Sequence, residues 1–272
     1  MTAPHSAPAL TTWIVQGNLG GRKDVEAIEA ACRRLDRGFV EVEAIPFSDE
    51  LPQVEIDGPA ICYGSALFVA AALRQGRWRP GAFFDEATFA FSAWREPYAP
   101  WLLNGGARLT TLGALAQELG PDDEPLFVRP DDDLKSFAGC VMTRGDLRQW
   151  AARLDDAMTV TPATPVVAAS PRQIDQEWRM FMVDGRCVAG SRYRRAGRQD
   201  VAEGVPAQVA ELAGRVAATW QPSPVFVLDV AQCQGELSIV EINGFNSAGF
   251  YASDVEAIVA AVSARVEADG GA

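Results

Sequence analysis

Two carboxylates and an amide stand inside strands that are otherwise apolar. Val225-Phe-Val-Leu-Asp229-Val-Ala231 and Leu237-Ser-Ile-Val-Glu241-Ile-Asn243 read as a hairpin, and Asp229, Glu241 and Asn243 interrupt it. A three-residue turn over Gln234-Gly235-Glu236 sets Asp229 opposite Glu241, with Asn243 two residues along on the same face. An isolated buried carboxylate is costly, and no Lys or Arg occurs in this hairpin to pair with either one. Three oxygen donors without imidazole suit a hard divalent cation, Mg²⁺ or Mn²⁺. At a sheet edge facing water, the same residues would be ordinary surface charges.

A second hairpin mixes both signs of charge. Asp184-Gly185 lies between Glu177-Trp-Arg-Met-Phe-Met-Val183 and Arg186-Cys-Val-Ala-Gly-Ser-Arg-Tyr193, which is a two-residue turn signal. Pairing Val183 with Arg186 sets Glu177 opposite Arg192, and parity puts Glu177, Arg179, Val188 and Arg192 on one face. That face is either a weak surface ion pair or the polar floor of a binding site. Arg194, Arg195 and Arg198 follow in a chain of net charge −12. They suit an anionic carboxylate substrate or a solvated loop.

Composition removes several alternatives. The only histidine is His5, so Ser–His–Asp and Cys–His mechanisms and His-ligated metals have no imidazole to use. Five cysteines without a C-x-x-C pair give neither a disulfide framework nor a zinc site. The acidic balance disfavours a nucleic-acid partner. No apolar run reaches the ~20 residues of a membrane span, and residues 1–10 read as a short disordered lead without a signal-peptide pattern. The expected setting is the cytoplasm.

The elements that must position these groups fall into two regions. Across 11–120, apolar strands at 12–16, 39–45 and 60–63 alternate with helical patterns at 24–37 and 66–74, which predicts a small parallel α/β unit. Residues 83–119 read as mostly helical. Pro121-Asp122-Asp123-Glu124-Pro125 reads as a linker. Across 125–272 the pattern is α+β: strands at 126–129 and 165–169, a helix at 145–158, the two hairpins with a helix between them, and a last helix at 253–267.

Taken in order, these segments resemble the ATP-grasp superfamily. Phe127-Val-Arg-Pro130 with Lys135-Ser-Phe-Ala-Gly139 is similar to the strand and loop that hold ATP phosphates there. Glu177-Trp-Arg-Met-Phe, Ser191-Arg-Tyr193, Leu228-Asp-Val230 and Val240-Glu-Ile-Asn-Gly-Phe-Asn246 match the fold's remaining site strands. Arg129 stands where most of the superfamily has lysine, which points to the clade carrying arginine there. Tyr63-Gly64-Ser65 and Leu102-Leu103-Asn104 also look like that clade.

The resemblance implies a parallel α/β unit followed by an ATP-grasp fold, and a Mg·ATP-dependent enzyme joining a carboxylate to an amine through an acyl-phosphate. It implies phosphate binding by Arg129 and Lys135, adenine binding at the Val167 and Ala168 main chain, and ribose binding by Glu177. Asp229, Glu241 and Asn243 would hold Mg²⁺, and Arg192, with Lys135, would act in catalysis. Arg194, Asn246 and Tyr251 are candidates for substrate contact. A small-molecule kinase and a non-catalytic nucleotide-binding module are the competing expectations.

Overall fold

The structure is a computed structural model that describes residues 10–269 except Gly20, Phe47, Lys135 and 156–158. The chain begins as the alternation predicts: β1 (Thr12–Gln16), α1 (Lys23–Arg34), β2 (Gly38–Val42), β3 (Ala60–Tyr63), α2 (Ala66–Gln75) and a short β4 (Pro80–Gly81). Its four strands are parallel in the order β2-β1-β3-β4. In α1, Val25, Ile28, Ala31 and Cys32 fall on one buried face, as a period of 3.6 requires. Ser65 caps α2 by accepting from the Phe68 N–H, and Gly76 closes it in the left-handed conformation.

The stretch read as helical is broken. It holds α3 (Glu86–Phe89), α4 (Phe91–Trp94), a 3₁₀ turn at Ala99–Trp101, then β5 (Arg108–Thr111) and α5 (Leu112–Gln117). β6 (Pro125–Pro130), β7 (Cys140–Thr143), α6 (Arg144–Ala151) and β8 (Pro165–Ala169) follow. These strands form an antiparallel sheet ordered β5-β8-β6-β7. The expected boundary near 120–125 therefore falls inside one sheet, because β5 precedes it and pairs with β8. Nor is 121–125 a free tether: Asp122 and Glu124 main-chain oxygens accept from Gly145 and Arg144 N–H groups at the start of α6.

The third sheet contains both charged hairpins: β9 (Gln176–Val183), β10 (Arg186–Arg195), β11 (Arg198–Glu203), α7 (Ala207–Thr219), β12 (Val225–Cys233) and β13 (Glu236–Asn243). It is antiparallel, ordered β11-β10-β9-β12-β13. Both hairpin turns have two consecutive residues at positive φ, Asp184 with Gly185 and Gln234 with Gly235. That backbone matches the twist of the flanking strands. A 3₁₀ turn at Phe245–Ser247 leads to α8 (Val255–Asp269).

α8 returns to the first sheet. Ile258, Val259, Val262 and Val266 join Trp13, Val25, Ile28, Phe181 and Phe245 in one core. The Trp13 indole N–H donates to Ser263 Oγ at 3.0 Å and the Thr11 N–H to Glu267 at 3.0 Å. A second core lies under α7, and the β5–β8 sheet has a small core of its own around Leu112, Val128 and Leu147. No helix among the described residues is long and apolar enough to cross a membrane.

Candidate active site

The expected register holds at the first turn, where Val183 faces Arg186, and then shifts twice. Val188 and Tyr193 are each inserted as an extra residue in β10, so Glu177 stands opposite Arg194 instead of Arg192. A bulge turns every later side chain to the other face. The Arg192 guanidinium accordingly points away, donating to Asp200 at 2.9 Å and to Gln176 at 3.2 Å. Glu177 is buried and accepts from the Tyr193 hydroxyl at 2.8 Å and from Arg194 at 3.3 Å.

In the other hairpin two departures cancel. The turn is one residue shorter than expected, with Cys233 opposite Glu236, and Val240 is then inserted as a bulge. Asp229 faces Glu241 after all. The neighbouring β9 brings Arg179 opposite Asp229 from the other side. Its guanidinium forks both carboxylate oxygens, Nε to Oδ1 at 2.9 Å and Nη2 to Oδ2 at 2.7 Å. Asn243 Nδ2 reaches Asp229 Oδ2 at 3.4 Å. The hairpin lacks a cation of its own, and the adjacent strand supplies it.

Burial opposes a charge on Arg179, but Asp229 overrides it and holds the guanidinium above its ordinary pKa. That guanidinium also lies 5.5 Å from the Tyr193 ring centroid and 5.3 Å from that of Tyr251. The two rings stack at 5.0 Å, and Tyr251 reaches this position through a left-handed backbone. Burial, then the nearby Asp229, Glu177 and Glu241 carboxylates, push the Tyr193 hydroxyl far above its usual value. It stays a proton donor to Glu177.

The β5–β8 sheet faces these hairpins. From β6, Arg129 is 8% exposed and reaches Glu241 at 3.4 Å, with its guanidinium 5.9 Å from the Trp94 ring centroid. Between the two sheets lies a cleft of about 510 Å³. Four arginines, Arg129, Arg172, Arg179 and Arg194, line it together with Asp132, Glu177, Glu241 and Tyr251. So much positive charge in one cleft of an acidic chain is suited to a polyanion.

Asp229, Glu241 and Asn243 fit a hard divalent ion. They offer oxygen donors, and a carboxylate forked by a guanidinium, as Asp229 is by Arg179, can still accept a cation through its remaining lone pairs. Among the described residues no cluster of three or more His, Cys, Asp and Glu presents a metal site, so two carboxylates and an amide are the available set.

Three expected contacts are not in the cleft. Val167 and Ala168 are 1% and 2% exposed, and β8 is paired on both edges at these positions. Their main-chain groups belong to the ladders, so a base would have to meet the chain beyond Ala169, where Arg172 and Ile174 line the cleft. The Asn246 amide is committed to the fold, donating to the Cys62 carbonyl at 2.6 Å and accepting from the Phe83 N–H at 2.9 Å. Lys135 lies outside the described residues.

The sequence reading missed Arg172, Tyr193 and the function of Arg179. For Arg179 a signal existed: a lone arginine in an apolar strand faces the same desolvation cost as Asp229, and each answers the other.

A sequence model of the ATP-grasp domain, clade family 3, matches residues 68–262. No curated protein matches the chain by sequence. Among solved structures, D-alanine–D-alanine ligase from Bacillus anthracis complexed with ATP superposes with a TM-score of 0.59 at 13% identity, covering 96% of this chain and 99% of that one. A RimK domain ATP-grasp protein from Sphaerobacter thermophilus gives 0.59 at 14% identity, covering 93% and 100%. The ATP-grasp ligase PsnB complexed with precursor peptide PsnA2 and AMPPNP gives 0.56 at 10% identity, covering 97% and 100%. At such identities the likeness concerns the fold, which is that of ATP-grasp proteins.

Proposed function

The chain belongs to the ATP-grasp domain family, in its clade family 3, and from that premise we propose a Mg·ATP-dependent carboxylate–amine ligase that works through an acyl-phosphate. The observation that carries this is the Asp229–Glu241 pair, set face to face across a ladder under Arg129 in an arginine-lined cleft. Arg129, in place of the superfamily's usual lysine, would hold phosphate oxygens through its fork of donors, with Lys135 as a second cation. Glu177, steadied by Tyr193 and Arg194, would accept the ribose hydroxyls. The main chain beyond Ala169 would meet the adenine.

Asp229, Glu241 and Asn243 would hold Mg²⁺, with Mn²⁺ as a substitute, and the ion when bound would neutralise charge on the β- and γ-phosphates during transfer. The anion-stabilising part assigned to Arg192 falls to Arg179 and Arg194, which line the cleft that Arg192 leaves. Tyr251 and Arg194 stand where a carboxylate substrate and its amine acceptor would enter. The substrates are a small-molecule or peptide carboxylate and an amine, in the cytoplasm, where ATP is supplied.

Nucleotide products test the reaction. Incubation with ATP, Mg²⁺ and candidate carboxylate–amine pairs should release ADP and phosphate in equal amounts, and hydroxylamine should trap an acyl hydroxamate. AMP with pyrophosphate would refute the assignment. A stable phosphorylated product formed without amine would make the protein a kinase.

A further inference from the structure

We propose, resting on the nucleotide assignment above, that Asn104 reads the N6/N7 edge of the purine and makes the site selective for adenine. Its placement follows from the chain path. Leu102 forms a parallel bridge with Ile239, and the Leu103 N–H donates to the Ile239 carbonyl at 2.9 Å, so this segment extends the hairpin sheet beyond β13. The chain then turns, with the Ala107 N–H on the Asn104 carbonyl at 2.8 Å, and enters β5, whose Arg108 faces Ala168. One residue past Ala168, β8 ends and the chain runs on to Arg172 and Ile174 at the cleft. Asn104 thus lines the cleft at the end where the main chain leaves the β8 ladders.

The surroundings at this end are apolar. Leu103, Phe127, Ile174 and Val240 line it, whereas Arg129, Arg179 and Glu241 lie toward the metal-ligand positions. Phe127 faces Ala169 across the β6–β8 ladder, which ties this ring to the same end. A flat aromatic base fits between such side chains, and a phosphate does not.

The Asn104 side-chain amide makes no hydrogen bond to a described residue. It therefore presents one acceptor and two donors to whatever occupies this end. Adenine offers an amino group at N6 and an acceptor at N7, the pair an asparagine amide matches in two hydrogen bonds. Guanine carries acceptors at both O6 and N7, so one of the amide's two contacts becomes a repulsion. Main chain beyond Ala169 can serve one edge of the base, and Asn104 serves the other.

The test is equilibrium binding of ATP, 7-deaza-ATP and GTP, each with Mg²⁺, to the wild type, Asn104→Ala and Asn104→Asp. Replacing N7 by carbon removes the acceptor that Asn104 would contact. The wild type should bind ATP about 10- to 100-fold more tightly than 7-deaza-ATP or GTP, the range of one bidentate base contact. Asn104→Ala should bind ATP and 7-deaza-ATP equally, with ATP affinity reduced to the 7-deaza level. Asn104→Asp, which keeps the shape and loses the donors, should behave likewise and guards against a folding artefact.

An unchanged ATP/7-deaza-ATP ratio in both variants, or no such preference in the wild type, overturns the role of Asn104 and leaves the ligase assignment standing. A wild type that binds none of the three nucleotides overturns both.

Discussion

Replacing Arg179 by methionine removes the cation that forks Asp229 and leaves a fully buried carboxylate behind. Breaking one partner of a buried ion pair costs about 3–5 kcal/mol. Asn243 still reaches Asp229 at 3.4 Å, so the lower end, about 3 kcal/mol, is expected. Asp229→Asn leaves the guanidinium donating to a neutral amide and loses about 2 kcal/mol. The double variant strands no charge, so it should fall short of the sum by about 2 kcal/mol, within the usual range for residues in contact.

Urea unfolding of the four proteins measures this directly. With a slope near 3 kcal/mol/M, Arg179→Met should lower the midpoint by about 1 M. Single-variant losses that add to the double-variant loss within about 0.5 kcal/mol would show no coupling and refute the argument.

Glu241→Gln should lower turnover by at least about 100-fold, the scale of losing a group that stabilises transition-state charge. The unfolding midpoint should hold, because Glu241 is partly exposed and only 3.4 Å from Arg129; full activity in this variant would remove Glu241 from the mechanism. Arg192→Ala should leave turnover within about threefold, as for a surface ion pair, while Arg194→Ala loses at least about tenfold; the reverse order would contradict the β10 bulges. Burial pushes the Cys32 and Cys62 thiols up to about 12. Their contribution is complete below the unfolded thiol value near 8.5 and declines as pH rises toward 12, by up to about 1.4 kcal/mol per thiol per pH unit. Unfolding between pH 8.5 and 10 should show that slope, flattened in Cys32→Ala; a flat wild-type profile would refute it.

The parallel sheet was legible because both periods are clean in β1, α1, β3 and α2. The Asp184-Gly185 turn was legible because few dipeptides accept two positive φ values in succession. Asp229 opposite Glu241 came out correctly through two compensating errors, a turn one residue too long and an unseen bulge at Val240. Bulges leave no residue-type mark in a strand, and the two in β10 therefore sent Arg192 to the wrong face. β5 was lost in a stretch read as helical because Arg-Leu-Thr-Thr is too short to show a period. Arg179 with Asp229, 50 residues apart, belongs to different hairpins, and only the sheet order joins them. At Val167 and Ala168 the sequence located the strand, yet nothing local says that both its edges are taken.

The return of α8 to the first sheet has a consequence for synthesis on the ribosome. Trp13 and Ser263 are 250 residues apart, and the core around Trp13, Val25 and Ile28 closes only with Ile258, Val259 and Val262. At roughly 5–20 residues per second, the first strands emerge about ten to fifty seconds before the helix that covers them. Throughout that interval an apolar surface with unpaired strand edges is open to other chains and to chaperones. A fragment cut near residue 120 would remain in that state permanently, because its missing wall is encoded at the far end of the chain.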